Sequence, residues 1–331
     1  MKKETKKVFG KHFIVWFVVF VILLIPASKA LDQVGEATIF SGETSLLDEM
    51  TPITVDPDSP FYEVFQSKDR VNVLLVGVNG NLSDTIMLGS YDMKNQHVDV
   101  ISIPRDTYYP RAGHNGIGQK KINAAYGSGG VVGTAEAVSD ILMGMPIHYY
   151  VDVGYDDVEK IVEAIGGIPV DITIKMDYDD PYDKPPLSIH FEKGYKVLNG
   201  KEAVKFLRFR KNNNGTGYSD GDIGRIKAQQ EFIKSAFKES LGLGLPKVVK
   251  TVLNTVESDM PLGMGTKIAT KALGLSADNV TTYLTPGESK TREDKLSYWI
   301  VDEAGVKEML MAIYSIGDEV PEDDTAEGDE T

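Results

Sequence analysis

Arginines gather in three short segments of this chain, at spacings that favour the binding of a phosphate or diphosphate. Arg105 stands in the first segment, Arg208 and Arg210 in the second, and Arg225 in the third, followed closely by Gln229. The chain as a whole is acidic, with 49 Asp and Glu residues against 35 Lys and Arg residues, so these clusters run against the overall composition. Planar guanidinium groups bind the oxygens of a phosphate in pairs. The clusters therefore predict a site for a concentrated anion.

Arg225 is the most informative of the four arginines because of the helix that carries it. The sequence predicts a long amphipathic helix from Asp222 to about Leu241, which places Arg225 in the first turn. The helix dipole disfavours a cation there, unless a bound anion shares the arginine and the free N–H groups of the turn. Gln229 and Phe232 lie on the same face of this helix. The face therefore changes along the helix from a guanidinium to an amide and then to hydrocarbon, which matches the charged head and apolar chain of a lipid phosphate. The alternative is an exposed arginine paired with a nearby acid.

The other arginines and one carboxylate complete the predicted site. Arg105 directly follows a predicted strand, and α/β proteins bind ligands at the ends of their strands. Arg208 and Arg210 would point to one side of an extended segment, where they repel each other unless an anion or a carboxylate lies between them. Asp84 precedes another strand, and one carboxylate with phosphate oxygens and water is an ordinary Mg²⁺ environment. The alternatives are surface arginines balanced by acids, and a turn-forming Asp84.

Strands and helices alternate along the middle of the chain. Apolar runs predict strands at 71–78, 85–91, 97–103, 148–153 and 170–176, and helical periodicity predicts helices at 131–143 and 156–165. Gly127–Gly130 is interpreted as a loop that opens the first helix, and Asp177–Pro186 as an acidic, turn-rich loop. Asn199 and Glu202 form a capping-box pattern at the start of a short helix that leads to Arg208. Interleaved strands and helices predict an α/β domain whose sheet is covered on both faces.

Composition argues against several classes of function. The formal net charge of −14 is unlike that of nucleic-acid surfaces, which are normally basic, so no nucleic-acid partner is expected. The chain has no cysteine, which rules out disulfides and Cys-based metal or redox sites. Its five histidines show no metal-ligand spacing such as H-E-x-x-H.

The N terminus predicts an exported protein. Five lysines precede an apolar run from Phe13 to Ile25, and positive charge before such a run places the N terminus in the cytoplasm and the rest outside. The run of about thirteen residues is shorter than the roughly twenty residues of a full span. Ser28-Lys29-Ala30 is similar to a signal-peptidase site. A retained membrane anchor is preferred, and a cleaved signal peptide is the alternative.

These signals divide the chain into four segments. We predict a cytoplasmic tip and transmembrane anchor at 1–30, an extracytoplasmic stalk at 31–69, a folded domain at 70–316 and an acidic disordered tail at 317–331. The protein would then cross the cell membrane once, with its main domain outside the cell.

Eight short motifs also follow one another along the chain. They read VNVLLVGVN, LSDTIML, VISIPRDTY, KINAAYGSGG, IHYYVDV, AIGGIPVDI, LNGKEAVKFLRFRK and GDIGRIKAQQ. In this order they resemble the LytR-CpsA-Psr family of exported cell-wall phosphotransferases, from about Val71 to Leu241. The resemblance implies a three-layer α-β-α sandwich with a mixed central sheet, whose hydrophobic pocket admits a polyprenyl chain.

The resemblance also implies an activity. Members of the family transfer a glycopolymer phosphate from an undecaprenyl-diphosphate carrier to a sugar hydroxyl of peptidoglycan, aided by Mg²⁺. The polymer, whether teichoic acid, capsule or another polysaccharide, stays open. The alternative function is a non-catalytic receptor that binds polyprenyl phosphates or cell-wall glycans without consuming them. A DNA-binding regulator is disfavoured by the acidic charge and the membrane segment.

The resemblance assigns roles to individual residues. Diphosphate binding falls to Arg105, Lys121, Arg208, Arg210, Arg225 and Gln229. Asp84 would bind the metal. Asp106 and Asp222 would support the reaction near the phosphate together with Arg105, and either carboxylate could accept the proton of the attacking hydroxyl. Asn79 stands where the family usually has Asp. Its carbonyl oxygen can bind a metal, but it lacks charge and cannot act as a base, so either metal binding is weaker or the base lies elsewhere.

Overall fold

The structure, a computed structural model, describes much of the chain. The described residues are 46–51, 53–183, 186–219, 224–225, 227–229, 231–232, 235–236, 239, 255–261, 268 and 279–316. The predicted anchor at 13–25, Asp222, the acidic tail and the side chain of Asn79 lie outside them. Within the described ranges, no helix is both long enough and apolar enough to cross a membrane.

Twelve strands, four α-helices and two short 3-10 helices (Leu46–Glu49 and Val64–Gln66) have their bounds defined within these residues. The strands are β1 (Arg70–Asn79), β2 (Leu82–Asp92), β3 (His97–Ile103), β4 (Tyr149–Val153), β5 (Ile168–Ile172), β6 (Met176–Asp180), β7 (Leu187–Phe191), β8 (Gly194–Leu198), β9 (Glu257–Ser258), β10 (Val280–Leu284), β11 (Gly287–Thr291) and β12 (Ser297–Val301). The helices are α1 (Ala124–Ile141), α2 (Tyr155–Ile165), α3 (Gly200–Arg208) and α4 (Glu303–Ile313). The described positions between 224 and 239 are also helical.

Six strands form a mixed central sheet in the order β10-β3-β2-β1-β4-β9. β2 is antiparallel to both β1 and β3, whereas β4 runs parallel to β1 and β10 parallel to β3. Three further pairs, β5-β8, β6-β7 and β11-β12, form separate two-stranded sheets. The predicted α/β class with a mixed central sheet is confirmed.

Each face of the central sheet carries its own hydrophobic core. Side chains along a strand point alternately to opposite faces. Val73 and Leu75 of β1 therefore pack in one core, to which α2 and α3 contribute. Leu74 and Val76 pack in the other core, to which α1 and α4 contribute. Burial of β1 on both faces explains its nearly unbroken apolar sequence.

The folded unit extends N-terminally beyond the predicted boundary at residue 70. Leu47, Phe61 and Phe65 belong to the core beside α1 and α4. The rings of Phe61 and Phe65 stack with their centroids 5.2 Å apart. Part of the segment predicted as a stalk thus packs on the domain.

Two local predictions were wrong. α1 begins at Ala124, before the Gly127–Gly130 segment predicted as a loop, and the helix is broken only at Gly130, where φ is 58°. The strand predicted at 170–176 is in fact two strands, and the acidic segment after it forms the β6-β7 hairpin. Aspartate is rare in strands, so the sequence MDYDD of β6 hid this strand from prediction.

One edge of the central sheet collects the ends of several strands. Because β1, β3 and β4 all run in the same direction, they end at the edge where β2 begins. This edge carries Gly77, Asp84, Arg105 and Val153. Gly77 allows β1 and β2 to approach closely here, since a Cβ at this position would lie only 3.0 Å from the Cβ of Thr85.

Candidate functional site

A cavity of about 670 Å³ lies at this edge of the sheet. Strand ends of the central sheet, the β6-β7 hairpin and the last residues of α3 form its walls. Part of the lining is hydrocarbon, from Val153, Val158, Leu187 and Leu207. The volume is in the range of small-molecule and cofactor sites.

The cavity brings together all four predicted arginines. Arg105, Arg208, Arg210 and Arg225 all contribute to its lining, although 120 positions of sequence (225 − 105) separate the first from the last. Arg225 is only 5% exposed, whereas Arg210 is exposed. The lining holds five cationic side chains, these arginines and Lys211, against three aspartates, and such an excess of positive charge attracts anions.

Arg105 is paired with the carboxylate that the sequence suggested as a metal ligand. The Arg105 Nη1 atom lies 2.5 Å from Asp84 Oδ1, and both side chains are largely buried in the cavity wall. Asp84 is the third residue of β2, and Arg105 comes two residues after β3 ends. The neighbouring antiparallel strands β2 and β3 therefore place this pair at the sheet edge.

Arg208 is held by two groups that the sequence did not single out. Its guanidinium donates a hydrogen bond to the Asp183 carboxylate and lies over the Tyr155 ring, 4.7 Å from the centroid. Cation–π contacts of this kind fix the plane of an arginine. A carboxylate beside Arg208 was one of the two possibilities that the sequence left open.

The capping box predicted at the start of α3 is confirmed. The Asn199 side chain accepts a hydrogen bond from the Glu202 amide at 3.0 Å, and the Glu202 carboxylate accepts one from the Asn199 amide at 3.2 Å. This cap fixes where the nine-residue helix begins, and so where its last residue, Arg208, enters the cavity.

Asparagine side chains attach the loop after Arg210 to the β6-β7 hairpin. The Asp177 amide donates to Asn212 Oδ1 at 2.7 Å, and the Asp179 amide donates to Asn213 Oδ1 at 2.6 Å. These bonds satisfy the open edge of β6 and hold the loop against the hairpin. The loop carries Arg210 at one end and Tyr218 at the other, and both line the cavity.

Gln229 lines the cavity, but its amide is engaged with the protein. Its Nε2 atom donates to the carbonyl of Leu207 at 2.9 Å. One turn further along, Phe232 stacks on Phe206 with ring centroids 6.1 Å apart. Gln229 thus connects its helix to the end of α3. The same side-chain amide is the group predicted to donate to a diphosphate.

Lys121 and Asp106 do not lie in the cavity lining. The Lys121 Nζ atom bonds to Asp106 Oδ1 at 2.9 Å and lies 5.5 Å from the centroid of the Tyr298 ring. The two side chains thus form an ion pair with each other. Diphosphate binding by Lys121 and proton transfer by Asp106 stay predictions. Asp222, the other predicted carboxylate, is outside the described residues.

The chain also matches a known protein family. Residues 38–314 of the chain match the LytR_cpsA_psr family. The protein is a member of the LytR-CpsA-Psr family. The match begins well before residue 70, in keeping with the core positions of Leu47, Phe61 and Phe65.

Several LytR-CpsA-Psr relatives are similar along much of the chain. A Bacillus cereus protein named polyisoprenyl-teichoic acid–peptidoglycan teichoic acid transferase TagU is 30% identical over 82% of this chain and 88% of its own length. Bacillus subtilis TagV, which carries the same description, is 30% identical over 62% of this chain; that match covers 52% of TagV, so the chain spans about half of that relative. A crystal structure of B. subtilis TagV matches 76% of this chain and 99% of its own, with a TM-score of 0.61 and 26% identity.

Tyr155 lies at the centre of this LytR-CpsA-Psr site, although the sequence did not indicate it. Burial raises the pKa of its hydroxyl, and the nearby charge of Asp84 raises it further, while Arg208, Arg225 and Arg105 act in the opposite direction. All four charged groups are therefore within electrostatic reach of one hydroxyl. A usable signal was present: Tyr155 comes two residues after β4, at the same sheet edge as Arg105.

Proposed function

We propose that this protein transfers a glycopolymer phosphate from a polyprenyl-diphosphate carrier to a sugar hydroxyl of peptidoglycan. The convergence of Arg105, Arg208, Arg210 and Arg225 on one cavity with a partly hydrocarbon lining carries the proposal. A diphosphate needs several cations, and a prenyl chain needs apolar contact, so a lipid diphosphate uses both parts of the cavity. The names of the TagU and TagV relatives support a teichoic acid or a similar polymer as the group transferred.

The arginines would bind and orient the diphosphate. Phosphoryl transfer requires little covalent chemistry from a protein, but it requires alignment of the attacking and leaving oxygens and neutralisation of the charge around phosphorus. Arg225 is nearly buried, and Arg208 is held by Tyr155 and Asp183. Such restrained side chains need little reorganisation when substrate binds. The diphosphate would displace carboxylates that pair with the arginines in the free protein.

The reaction exchanges one phosphorus–oxygen bond for another. The acceptor hydroxyl oxygen bonds to the phosphorus that carries the glycopolymer, and the bond from this phosphorus to the bridging oxygen breaks. Polyprenyl monophosphate leaves, and the polymer becomes attached through a phosphodiester. The hydroxyl proton passes to a base, for which Asp222 and Asp106 stay the predicted candidates.

Mg²⁺ is part of the proposal. Asp84 suits this ion, because its carboxylate is 24% exposed within the cavity, and Mg²⁺ commonly binds one or two carboxylates together with substrate phosphates. Asn79 pairs with Leu82 across β1 and β2, two residues from Asp84. When bound, the ion would neutralise negative charge on the phosphate oxygens.

Residues 13–25 are proposed as the membrane anchor, with the domain outside the cell. The supporting observation is the lysine-flanked apolar run in the sequence. An anchor would hold the cavity near the membrane surface, where a polyprenyl carrier resides.

A transfer assay tests the proposed function. The full chain in detergent is incubated with a polyprenyl-diphosphate-linked glycopolymer, peptidoglycan fragments and Mg²⁺. We expect polyprenyl monophosphate to be released in equal amount to the polymer attached to peptidoglycan, and we expect chelation of Mg²⁺ to abolish both.

Two other outcomes would contradict the proposal. Binding of the lipid-linked glycan without its consumption would indicate a receptor. Release of polyprenyl monophosphate without attachment to peptidoglycan would indicate a hydrolase. Undiminished transfer in the presence of chelator would exclude the proposed role of Mg²⁺ and leave the transferase intact.

A further inference from the structure

The hydroxyl of Tyr218 is a buried polar group with no hydrogen-bond partner in the part of the chain that the structure describes. Tyr218 lines the arginine cavity. It follows the loop that Asn212 and Asn213 attach to the hairpin. Buried hydroxyls are usually hydrogen-bonded, since removal from water carries a cost that a bond offsets. This hydroxyl therefore requires a separate explanation.

Packing fixes the Tyr218 ring where it is. The ring meets the fully buried Phe209 edge to face, with centroids 5.7 Å apart. A Cβ at Gly224 would lie 2.3 Å from the Tyr218 Cβ, so only glycine fits beside this residue. These contacts account for an aromatic ring at this position. They do not account for the hydroxyl, because phenylalanine would make the same ring contacts.

The surroundings of the hydroxyl indicate what kind of group would accept from it. Burial raises the pKa of Tyr218, so it stays protonated at neutral pH and is available as a donor, and Arg225 is near enough to act on it electrostatically. A group that accepts from this hydroxyl next to Arg225 carries oxygen atoms and negative charge. Ser102 and Arg111 also have buried polar atoms without partners among the described residues, but neither lines the cavity.

We propose that the Tyr218 hydroxyl donates a hydrogen bond to a non-bridging phosphate oxygen of the bound lipid diphosphate, beside Arg225. This inference rests on the proposed function, because it requires that the cavity bind such a lipid. It adds a neutral donor to the four arginines as a substrate-binding residue. Among the described residues the hydroxyl has no partner, and the ligand would supply one.

The substitution Tyr218→Phe tests the proposal, because it removes the oxygen and keeps the ring. The full chain in detergent is titrated by calorimetry with farnesyl diphosphate, a short polyprenyl diphosphate, and separately with farnesol, which lacks phosphate. We expect the affinity of Tyr218→Phe for farnesyl diphosphate to fall on the order of 10- to 100-fold, as for a hydrogen bond to a charged acceptor. Its Tm without ligand should stay equal or rise, since an unsatisfied buried hydroxyl is gone.

A matched control is Tyr195→Phe, since Tyr195 is 76% exposed on β8 and outside the cavity lining. This variant should bind farnesyl diphosphate as the parent does. Weak binding of farnesol should be the same in the parent and in Tyr218→Phe, because the prenyl chain does not contact the hydroxyl.

Three results would overturn the inference. Equal affinity of the parent and Tyr218→Phe for farnesyl diphosphate would exclude the hydrogen bond while leaving the proposed function in place. A clear fall in the Tm of the free variant would show that the hydroxyl supports the fold. If the parent itself fails to bind farnesyl diphosphate, the proposed function fails and the inference fails with it.

Discussion

Replacement of Arg225 by glutamine is expected to weaken binding of a polyprenyl diphosphate by about 100-fold. Arg225 is 5% exposed, lines the cavity and precedes a helical face that becomes apolar at Phe232. Each hydrogen bond to a charged group contributes about 1.5–3 kcal/mol, and an arginine can make two such bonds to one phosphate. Glutamine keeps part of the packing and can make one neutral bond, so most of that contribution is lost. The measurement is calorimetric titration with the lipid diphosphate.

Arg292→Gln is the matched control for this substitution. Arg292 is exposed, and its guanidinium lies over the Tyr108 ring, 4.1 Å from the centroid, outside the cavity lining. Its replacement should leave the affinity within a factor of two or so, since surface changes rarely matter. Equal affinities for the parent, Arg225→Gln and Arg292→Gln would remove Arg225 from the binding site. Loss of binding together with a collapse of the Tm would instead assign it a structural role.

Replacement of Arg70 by methionine is expected to cause the largest loss of stability. The Arg70 guanidinium donates to Asp99 at 2.9 Å, to Ser90 at 3.1 Å, to Asp92 at 3.2 Å and to the carbonyl of Ile313 at 3.0 Å. Removal of one partner from a buried ion pair costs about 3–5 kcal/mol, because the other charge is left unpaired. For a domain of this size, that loss corresponds to a Tm lower by roughly 10 °C. Differential scanning calorimetry of the full chain measures it.

A second substitution distinguishes an unpaired charge from lost packing. The Asp99 side chain is 2% exposed, so in Arg70→Met its carboxylate would be buried without its main cation. Adding Asp99→Asn to Arg70→Met should recover a substantial part of the Tm. If the Tm does not recover, the loss of stability comes from the hydrocarbon part of the Arg70 side chain or from its contact with the carbonyl of Ile313.

The four arginines that line the cavity could be singled out from sequence because they conflict with their local context. Two of these arginines stand at i and i+2, and a third lies in the first turn of a predicted helix. Both arrangements are electrostatically unfavourable unless a ligand is bound. The strands beside Asp84 and Arg105 were predictable, as β1 was, because long apolar runs are typical of central strands. The meeting of Asp84 and Arg105 then follows from the sheet edge that β1, β2, β3 and β4 share.

Other parts of the site were not visible in the sequence. Tyr218 and Asp183 are common residue types in turn-rich surroundings, and only tertiary packing shows that they reach the arginines. β6 was missed because tertiary contacts, including the asparagine side chains on its edge, stabilise a strand with a poor intrinsic propensity. The sequence also did not show that Lys121 pairs with Asp106.

Mass spectrometry of the lipids that co-purify with the full chain tests most directly whether the arginine cavity holds a polyprenyl phosphate. The parent and Arg225→Gln are purified gently from the same membrane-rich lysate and extracted side by side. We predict polyprenyl monophosphate or diphosphate in the extract of the parent, in roughly stoichiometric amount, and little or none with Arg225→Gln. Equal amounts of polyprenyl phosphate in both extracts, or its absence from both together with no rise in Tm on addition of polyprenyl diphosphate, would contradict the assignment of this cavity.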